Sequence, residues 1–129
     1  MPTTLFTFQE ACAQLEAVRR ATRVAQERLQ QLQAQAETIA EGSVQADRLK
    51  EQMQAVVQQW ADAVAETGAQ AKGIWTVDFD SGHGFYYCWT LDEPELTHYH
   101  AYEDGFAGRK PLVDGVPPDF PDAKPPVLN

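Results

Sequence analysis

The fold is decided by a long helical segment near the N-terminus, residues 7–43, which reads TFQEACAQLEAVRRATRVAQERLQQLQAQAETIAEGS. Thr7 and Glu10 have the spacing of a capping box, in which each side chain accepts a hydrogen bond from the backbone N–H of the other, so a helix begins here. Apolar and small residues then recur three or four positions apart, as in a helix that packs along one stripe. The stripe consists of Phe8, Ala11, Leu15, Val18, Thr22, Ala25, Leu29, Leu32, Ala36 and Ile39.

A second helical segment follows a short break. Gly42 can adopt the left-handed conformation that ends a helix, and Ser43 can cap the next one. The same spacing then continues to Gly68 through Ala46, Leu49, Met53, Val56, Trp60, Ala63 and Thr67. Two such helices joined by a short turn predict an antiparallel helical hairpin over residues 7–68. Because a two-helix hairpin buries little surface, we expect the chain to form a homo-oligomer, preferably a dimer, or to bind a protein partner.

The periodicity of the sequence changes at Gly73, after which aromatic residues alternate with polar ones. Residues 74–79 (IWTVDF) and 85–91 (FYYCWTL) alternate as β-strands do, and the intervening DSGHG is typical of a turn. A lone β-hairpin is marginally stable in water, so we expect its aromatic face to pack against the base of the helices. The expected contact residues there are Phe6, Phe8, Trp60 and Val64.

The fold class is therefore predicted to be α+β: a long antiparallel two-helix hairpin, coiled-coil-like, followed by a small β-hairpin and a structured C-terminal loop. We expect a single domain over residues 1–112, with the helical hairpin at 7–68 and the β-hairpin with its motif loop at 73–112. Residues 113–129 contain five prolines and three aspartates and show no periodicity. They predict a flexible, Pro-rich acidic tail.

The charge and the cysteine content limit the classes of partner and the cellular locations that the sequence allows. The net charge is −9, and residues 73–129 hold three Lys or Arg against ten Asp or Glu. This acidic half would repel nucleic acid and anionic lipid, so neither is expected as a partner. The sequence has neither a membrane-spanning apolar run nor a signal-peptide pattern, and Cys12 and Cys88 do not make a disulfide framework. A cytoplasmic location is expected.

The segment from Cys88 to Leu112, CWTLDEPELTHYHAYEDGFAGRKPL, is dense in histidines, carboxylates and aromatic residues but has no regular period. Irregular segments of this kind often carry sites. Its CW, EPE, YH and GFAGRKPL elements, together with residues 5–7 (LFT) and 77–79 (VDF), resemble an uncharacterised bacterial family catalogued as domain of unknown function 2203. The resemblance extends over nearly the whole chain up to Leu112 and implies no activity, substrate or cofactor.

The candidates for a binding surface are the polar and aromatic residues that these motifs contain. They are Trp89, Glu93, Glu95, His100, Asp104, Phe106 and Arg109. Arg109 is surrounded in sequence by acidic residues, and we expect it to form an internal ion pair that folds the loop at residues 105–108 back onto the β-hairpin. Tyr86, on the second face of the β-hairpin, is expected to stay accessible and to mark a contact surface.

No cofactor and no catalytic residue are predicted. The side chains of Cys88, His98 and His100, with Glu103 or Asp104, offer donor atoms that zinc or another divalent metal binds. Their spacing matches no standard zinc module, however, and His98 departs from the family pattern. An enzyme is not favoured, because the sequence contains no nucleophile elbow, phosphate loop or dinucleotide fingerprint, and a two-stranded sheet offers little room for a pocket.

Two functions remain open from the sequence. The favoured one is a protein-interaction or adaptor module that self-associates through its helices and presents the Cys88–Arg109 segment as its specific surface. The alternative is a metal- or small-molecule-binding protein, with or without catalysis, that uses Glu93, His100, Asp104 and Arg109 of the same segment.

Overall fold

The computed structural model describes residues 4–120 of the chain, which form two helices and a sheet. The elements are α1 (Phe8–Glu37), α2 (Val44–Glu66), β1 (Gln70–Ala71), β2 (Thr76–Asp80), β3 (Phe85–Thr90), β4 (His98–Ala101) and β5 (Lys110–Pro111). A short 3₁₀ turn at Phe106–Gly108 lies between β4 and β5. The two helices pack against each other, and the predicted α+β class with a helical hairpin is confirmed.

Both helices begin at the caps that the sequence predicts. The Thr7 hydroxyl accepts from the Glu10 N–H at 3.1 Å, and the Glu10 carboxylate accepts from the Thr7 N–H at 2.9 Å, so the capping box is confirmed. Ser43 caps α2 by accepting from the N–H of Ala46 at 3.1 Å. Gly42, in the turn between the helices, has φ of 79°, which is the left-handed conformation expected there.

The stripe between the helices is covered more completely on α1 than on α2. In α1 every stripe position from Ala11 to Leu32 is buried, whereas Ala36 is half-buried and Ile39 lies beyond the end of the helix. In α2 the buried residues are Leu49, Trp60 and Val64. The middle of α2 therefore leaves apolar side chains only partly covered.

The predicted β-hairpin is the centre of a larger antiparallel sheet. Its strands lie in the order β1-β2-β3-β4-β5, so each strand pairs with the one that follows it in the chain. The sequence pattern revealed β2 and β3 but not β1, β4 and β5. Those three strands contain two to four residues, which is too short for alternation to be visible.

One face of the sheet packs against the base of the helices, as predicted. The ring of Phe6 packs edge-on against Phe79 with centroids 5.2 Å apart, and Trp60 packs edge-on against Trp75 at 5.0 Å. The same core contains Phe8, Val64, Val77, Phe85, Tyr87 and Trp89. The aromatic side chains of alternate strand positions thus attach the sheet to the hairpin.

The packed structure continues beyond residue 112, where the sequence predicts a flexible tail. The ring of Phe120 lies 5.0 Å from that of Phe85, and the Asp119 carboxylate accepts hydrogen bonds from Tyr99 at 3.0 Å and Lys110 at 2.6 Å. The proline-rich composition of the segment does not predict this attachment. A single aromatic side chain is enough to anchor a short segment to the sheet, and one residue changes the composition very little. The rest of the predicted tail, residues 121–129, lies outside the described residues.

Candidate functional site

The face of the sheet that points away from the helices carries polar residues from three neighbouring strands. Asp78 of β2 pairs with Cys88 of β3, Cys88 pairs with His98 of β4, and Tyr86 pairs with His100. Because side chains alternate between the two faces of a strand, these residues share one face, together with Thr76 and Thr90. We call it the outer face.

A buried hydrogen bond joins two ionisable residues of the outer face. Nε2 of His100 lies 3.0 Å from Oδ2 of Asp78, and the two residues are only 5% and 1% exposed. The other ring nitrogen of His100, Nδ1, lies 2.9 Å from the carbonyl oxygen of Ala101. A carbonyl oxygen can only accept, so Nδ1 carries a hydrogen and Nε2 faces the carboxylate. The second oxygen of Asp78, Oδ1, is buried without a hydrogen-bond partner.

The Cys88 thiol lies beside this pair. Donor atoms of Asp78, Cys88 and His100 all lie within 4.8 Å of one another, and we call the three residues the Asp–Cys–His cluster. Burial and, after it, the negative charge of Asp78 raise the pKa of Cys88 to about 12, and the Arg109 guanidinium offsets part of this rise. The free protein therefore holds Cys88 as a neutral thiol at neutral pH.

An open cavity of about 520 Å³ lies over part of the outer face. Its polar floor includes Asp78, His100, Thr76 and Thr90, and its rim includes Lys72, Tyr86, Tyr102, Asp104 and Phe106. The rings of Tyr86 and Tyr102 are 4.9 Å apart, and the ammonium group of Lys72 lies 5.3 Å from the centre of the Tyr86 ring. The five-stranded sheet thus provides a pocket that the predicted two-stranded sheet would have lacked.

Arg109 forms the internal ion pair that the sequence predicts. Its Nη2 donates to the Glu93 carboxylate at 2.6 Å and to the Cys88 carbonyl oxygen at 3.0 Å, and its guanidinium lies 4.9 Å from the centre of the Phe106 ring. The Glu93 carboxylate also accepts from the N–H of Thr90 at 2.8 Å. Arg109 and Glu93 therefore hold the loop before β5 against β3, and neither residue lines the cavity.

Of the other predicted site residues, only some meet at the cavity. His100 lies on its floor, and Asp104 and Phe106 lie on its rim. Trp89 is in the core on the opposite face of the sheet, where its indole N–H donates to the Glu93 carbonyl oxygen at 2.8 Å. Glu95 is exposed and lines a separate hollow with residues of α1.

His98, which the sequence suggests as a metal ligand, contacts Glu93 and Thr97 instead. Its Nδ1 lies 3.3 Å from the Glu93 carboxylate and 2.9 Å from the Thr97 hydroxyl. It therefore does not belong to the Asp–Cys–His cluster, although Cys88 and His100 do. Asp104 and Glu103 are exposed and do not belong to it either.

Asp78 is a residue of the site that the sequence alone does not predict. The sequence does contain an indication of its role. Asp78 is a carboxylate in the middle of the alternating run at residues 74–79, between Val77 and Phe79, which both face the core. A charged residue at such a position is buried only at a cost, unless it has partners. Those partners come from β3 and β4, and only the strand pairing reveals them.

Fold and site together define a small α+β protein with an open, polar-floored cavity on its sheet. The chain belongs to the family described as uncharacterized conserved protein (DUF2203), which matches residues 3–112. Comparison with curated proteins and with solved structures gave no significant match. Within residues 4–120, neither helix combines the length and apolar character that crossing a membrane requires.

Proposed function

We propose that this protein binds a small molecule in the outer-face cavity. The observation that carries the proposal is the Asp78–His100 pair, buried and hydrogen-bonded yet lying on the floor of an open cavity. A volume of about 520 Å³ is within the usual size of ligand sites, which combine apolar walls with a few convergent polar groups. This is the alternative function from the sequence, and the geometry supports it better than the favoured adaptor role.

The chemistry of the walls indicates the shape of the ligand. Tyr102 and Phe106 are large aromatic residues that remain 43% and 54% exposed at the rim, and Tyr86 stands beside Tyr102. Aromatic faces of this kind bind flat or apolar groups. The floor instead offers the polar side chains of Asp78 and His100. A ligand with an apolar or planar body and a polar end suits both parts.

The motif residues support the same site. The segments at 77–79, 88–89, 99–100 and 105–109, which resemble the family pattern, are far apart in the chain but all contribute residues to the cavity or to its support. Asp78, Cys88 and His100 come from the first three of these segments. A purely structural role for each segment would not require their polar groups to converge on one face.

The test is a fragment screen by NMR on the ¹⁵N-labelled full chain, with EDTA present to remove metal ions. We expect binders that shift the backbone signals of Tyr86, Tyr102 and Gly105, and we expect Tyr86→Leu to weaken them about tenfold by removing an aromatic wall. Val24→Ala, on the helices, is the matched control and should leave binding unchanged. Binders that shift only helical signals, or a screen without binders, would overturn the proposal.

Self-association through the helices remains a second candidate, with a separate observation in its favour. An apolar groove of about 440 Å³ runs between α1 and α2, and its lining includes Val56, Ala21 and Val24, of which Val24 is 64% exposed. A second copy of the chain packed in this groove would cover the part of α2 that is left open. Native mass spectrometry should then give a dimer that Val24→Glu converts to a monomer, whereas a wild-type monomer would contradict this role.

We propose a cytoplasmic location, where thiols stay reduced. Cys12 is exposed and Cys88 buried, and both are free. Fractionation of cells that express the untagged chain tests this placement, and recovery outside the cytoplasmic fraction would contradict it.

A further inference from the structure

We propose that Asp78, Cys88 and His100 are the protein ligands of a divalent metal site, with Zn²⁺ as the preferred ion, on the floor of the outer-face cavity. The inference deepens the proposed function and rests on it in one respect, because a ligand in the cavity would then meet the metal. The set differs from the metal ligands that the sequence suggested, since Asp78 takes the place of His98 and of the acidic residues at 103 and 104.

The three donors have the chemistry and the proximity of a zinc site. A carboxylate oxygen, a thiolate sulfur and an imidazole nitrogen are the donor types that zinc binds. In a tetrahedral zinc site with bonds of about 2.0–2.3 Å, neighbouring donor atoms are about 3.3–3.6 Å apart. Here they lie within 4.8 Å of one another on adjacent strands. The donor atoms must therefore approach one another by at most about 1.5 Å to reach the spacing of a tetrahedral site.

The orientation of His100 is that of a metal ligand. Its Nδ1–H donates to the carbonyl oxygen of Ala101 at 2.9 Å, so Nε2 is the nitrogen that faces Oδ2 of Asp78, 3.0 Å away. A nitrogen and a carboxylate oxygen at that distance share a proton or a metal ion, and a metal ion can take the place of the proton. A histidine whose second nitrogen is anchored on a backbone carbonyl is the usual arrangement around protein-bound metals.

The unpartnered oxygen of Asp78 points to the same conclusion. A proton shared with His100 satisfies Oδ2, but Oδ1 stays buried and without a partner in a residue that is 1% exposed. A metal ion beside Cys88 could be bound by either oxygen of the carboxylate. The complex of Zn²⁺ with one carboxylate, one thiolate and one neutral imidazole has no net charge, which suits a buried position.

The cavity supplies the fourth coordination position. Three protein ligands and one open position, filled by water or by a bound molecule, are typical of zinc sites that interact with a ligand. The Asp78 and His100 side chains line the cavity, so the open position would face its interior. The small molecule bound there would therefore carry a metal-binding group, such as a carboxylate or a thiolate, at its polar end.

The test uses Co²⁺ as a spectroscopic probe on the untagged full chain after treatment with a chelator. We expect one Co²⁺ per chain, with the ultraviolet absorption of a cobalt–thiolate bond, displaced by added Zn²⁺. Cys88→Ser should abolish that absorption, and His100→Ala should weaken Co²⁺ binding by at least about tenfold. Cys12→Ser is the matched control and should keep both properties. Loss of the thiolate absorption in Cys12→Ser, or its survival in Cys88→Ser, would overturn the assignment.

A measurement on the wild-type protein guards against misfolded variants. In a long-range ¹H–¹⁵N spectrum of the histidines, Zn²⁺ should shift Nε2 of His100 strongly while the signals of His98 and His83 stay in place. A His100 signal that does not shift at saturating Zn²⁺ would refute the proposed metal site. If fragments nevertheless bind the chelated protein around Tyr86, the proposed function stands and only the metal inference fails. If neither Co²⁺ nor fragments bind, both fail.

Discussion

Trp60 of α2 donates its indole N–H to the hydroxyl of Thr22 in α1, with nitrogen and oxygen 2.8 Å apart. The same hydroxyl donates to the carbonyl oxygen of Val18 at 2.7 Å, and both Thr22 and Trp60 are buried. Thr22 is the polar member of the apolar stripe on α1. Its hydroxyl gives a buried indole the partner that such a group requires.

Thr22→Val should therefore destabilise the protein although it preserves the shape of the side chain. The variant leaves the Trp60 N–H buried without an acceptor, which should lower the free energy of unfolding by about 1–3 kcal/mol. Urea denaturation of the two proteins measures the difference. In a Trp60→Phe background, which has no N–H to satisfy, the same change at Thr22 should cost much less. An equal cost in both backgrounds would show that the hydrogen bond is not the cause.

Arg109→Met should be among the more destabilising surface-loop substitutions in this protein. Arg109 and Glu93 are 12% and 19% exposed, so removing the guanidinium takes away the cationic partner at 2.6 Å from a largely buried carboxylate. We expect a loss of about 3 kcal/mol in the free energy of unfolding. Arg23→Met, on the exposed side of α1, is the control and should change it by less than about 0.5 kcal/mol. Similar losses for the two variants would refute a stabilising role for the ion pair.

The two thiols should differ sharply in reactivity. Cys12 is exposed, whereas Cys88 is fully buried and its pKa is raised to about 12 by burial and by Asp78. Because the thiolate is the reactive form, Ellman's reagent at pH 8 should modify one thiol quickly and the second only after denaturation. In Cys12→Ser the fast phase should disappear. A fast phase that persists in that variant would mean that Cys88 is accessible.

The Asp119 carboxyl should titrate below its ordinary value of 3.8. The hydrogen bonds from Lys110 and then from Tyr99 lower its pKa in the folded state. The stabilisation is therefore present above the pKa of the unfolded chain and is lost as the pH falls through the lower, folded pKa. A ¹³C carboxyl NMR titration gives the midpoint directly. Lys110→Ala should move it back towards 3.8, and a wild-type midpoint at or above 3.8 would contradict the contact.

Phe120→Ala should reveal how firmly residues 113–120 belong to the domain. The Phe120 ring packs against Phe85 and, at 6.2 Å, Tyr99, so its loss should lower the free energy of unfolding by about 2–3 kcal/mol. The exposed Asp119→Asn should cost far less, because ion pairs open to solvent contribute little. Thermal unfolding of both variants measures the contrast. A Phe120→Ala protein as stable as wild type would support a domain that ends at residue 112.

The helical hairpin could be predicted because its signals are local. A capping box at Thr7, a glycine–serine break at residues 42–43 and an unbroken stripe are all readable within a few residues of one another. The sheet could be predicted only in part from the sequence. β2 and β3 are long enough to show alternation, whereas β1 and β5 form two-residue ladders that exist because a neighbouring strand is already in place.

The site could be predicted only in part, for a related reason. Cys88 and His100 stood out because the motif segment is dense in polar residues, but Asp78 becomes their neighbour only through the pairing of β2 with β3. The sequence predicts His98 as a metal ligand because it lies two residues from His100 and so shares its face. Glu93 holds it instead, and the position of Glu93 is itself fixed by Arg109. Contacts of that kind depend on the three-dimensional path of the chain, which the periodicity of the sequence does not reveal.

The residues of the Asp–Cys–His cluster alternate along their strands with the aromatic residues that attach the helices. Phe79 follows Asp78, and Tyr87 and Trp89 flank Cys88. A shift of β3 by a single residue would turn Cys88 towards the helices and Tyr87 towards the cavity. The burial of those rings against α1 and α2 therefore sets the phase in which the strands pair. The helical hairpin thus acts as the template that keeps Asp78, Cys88 and His100 on the same face of the sheet.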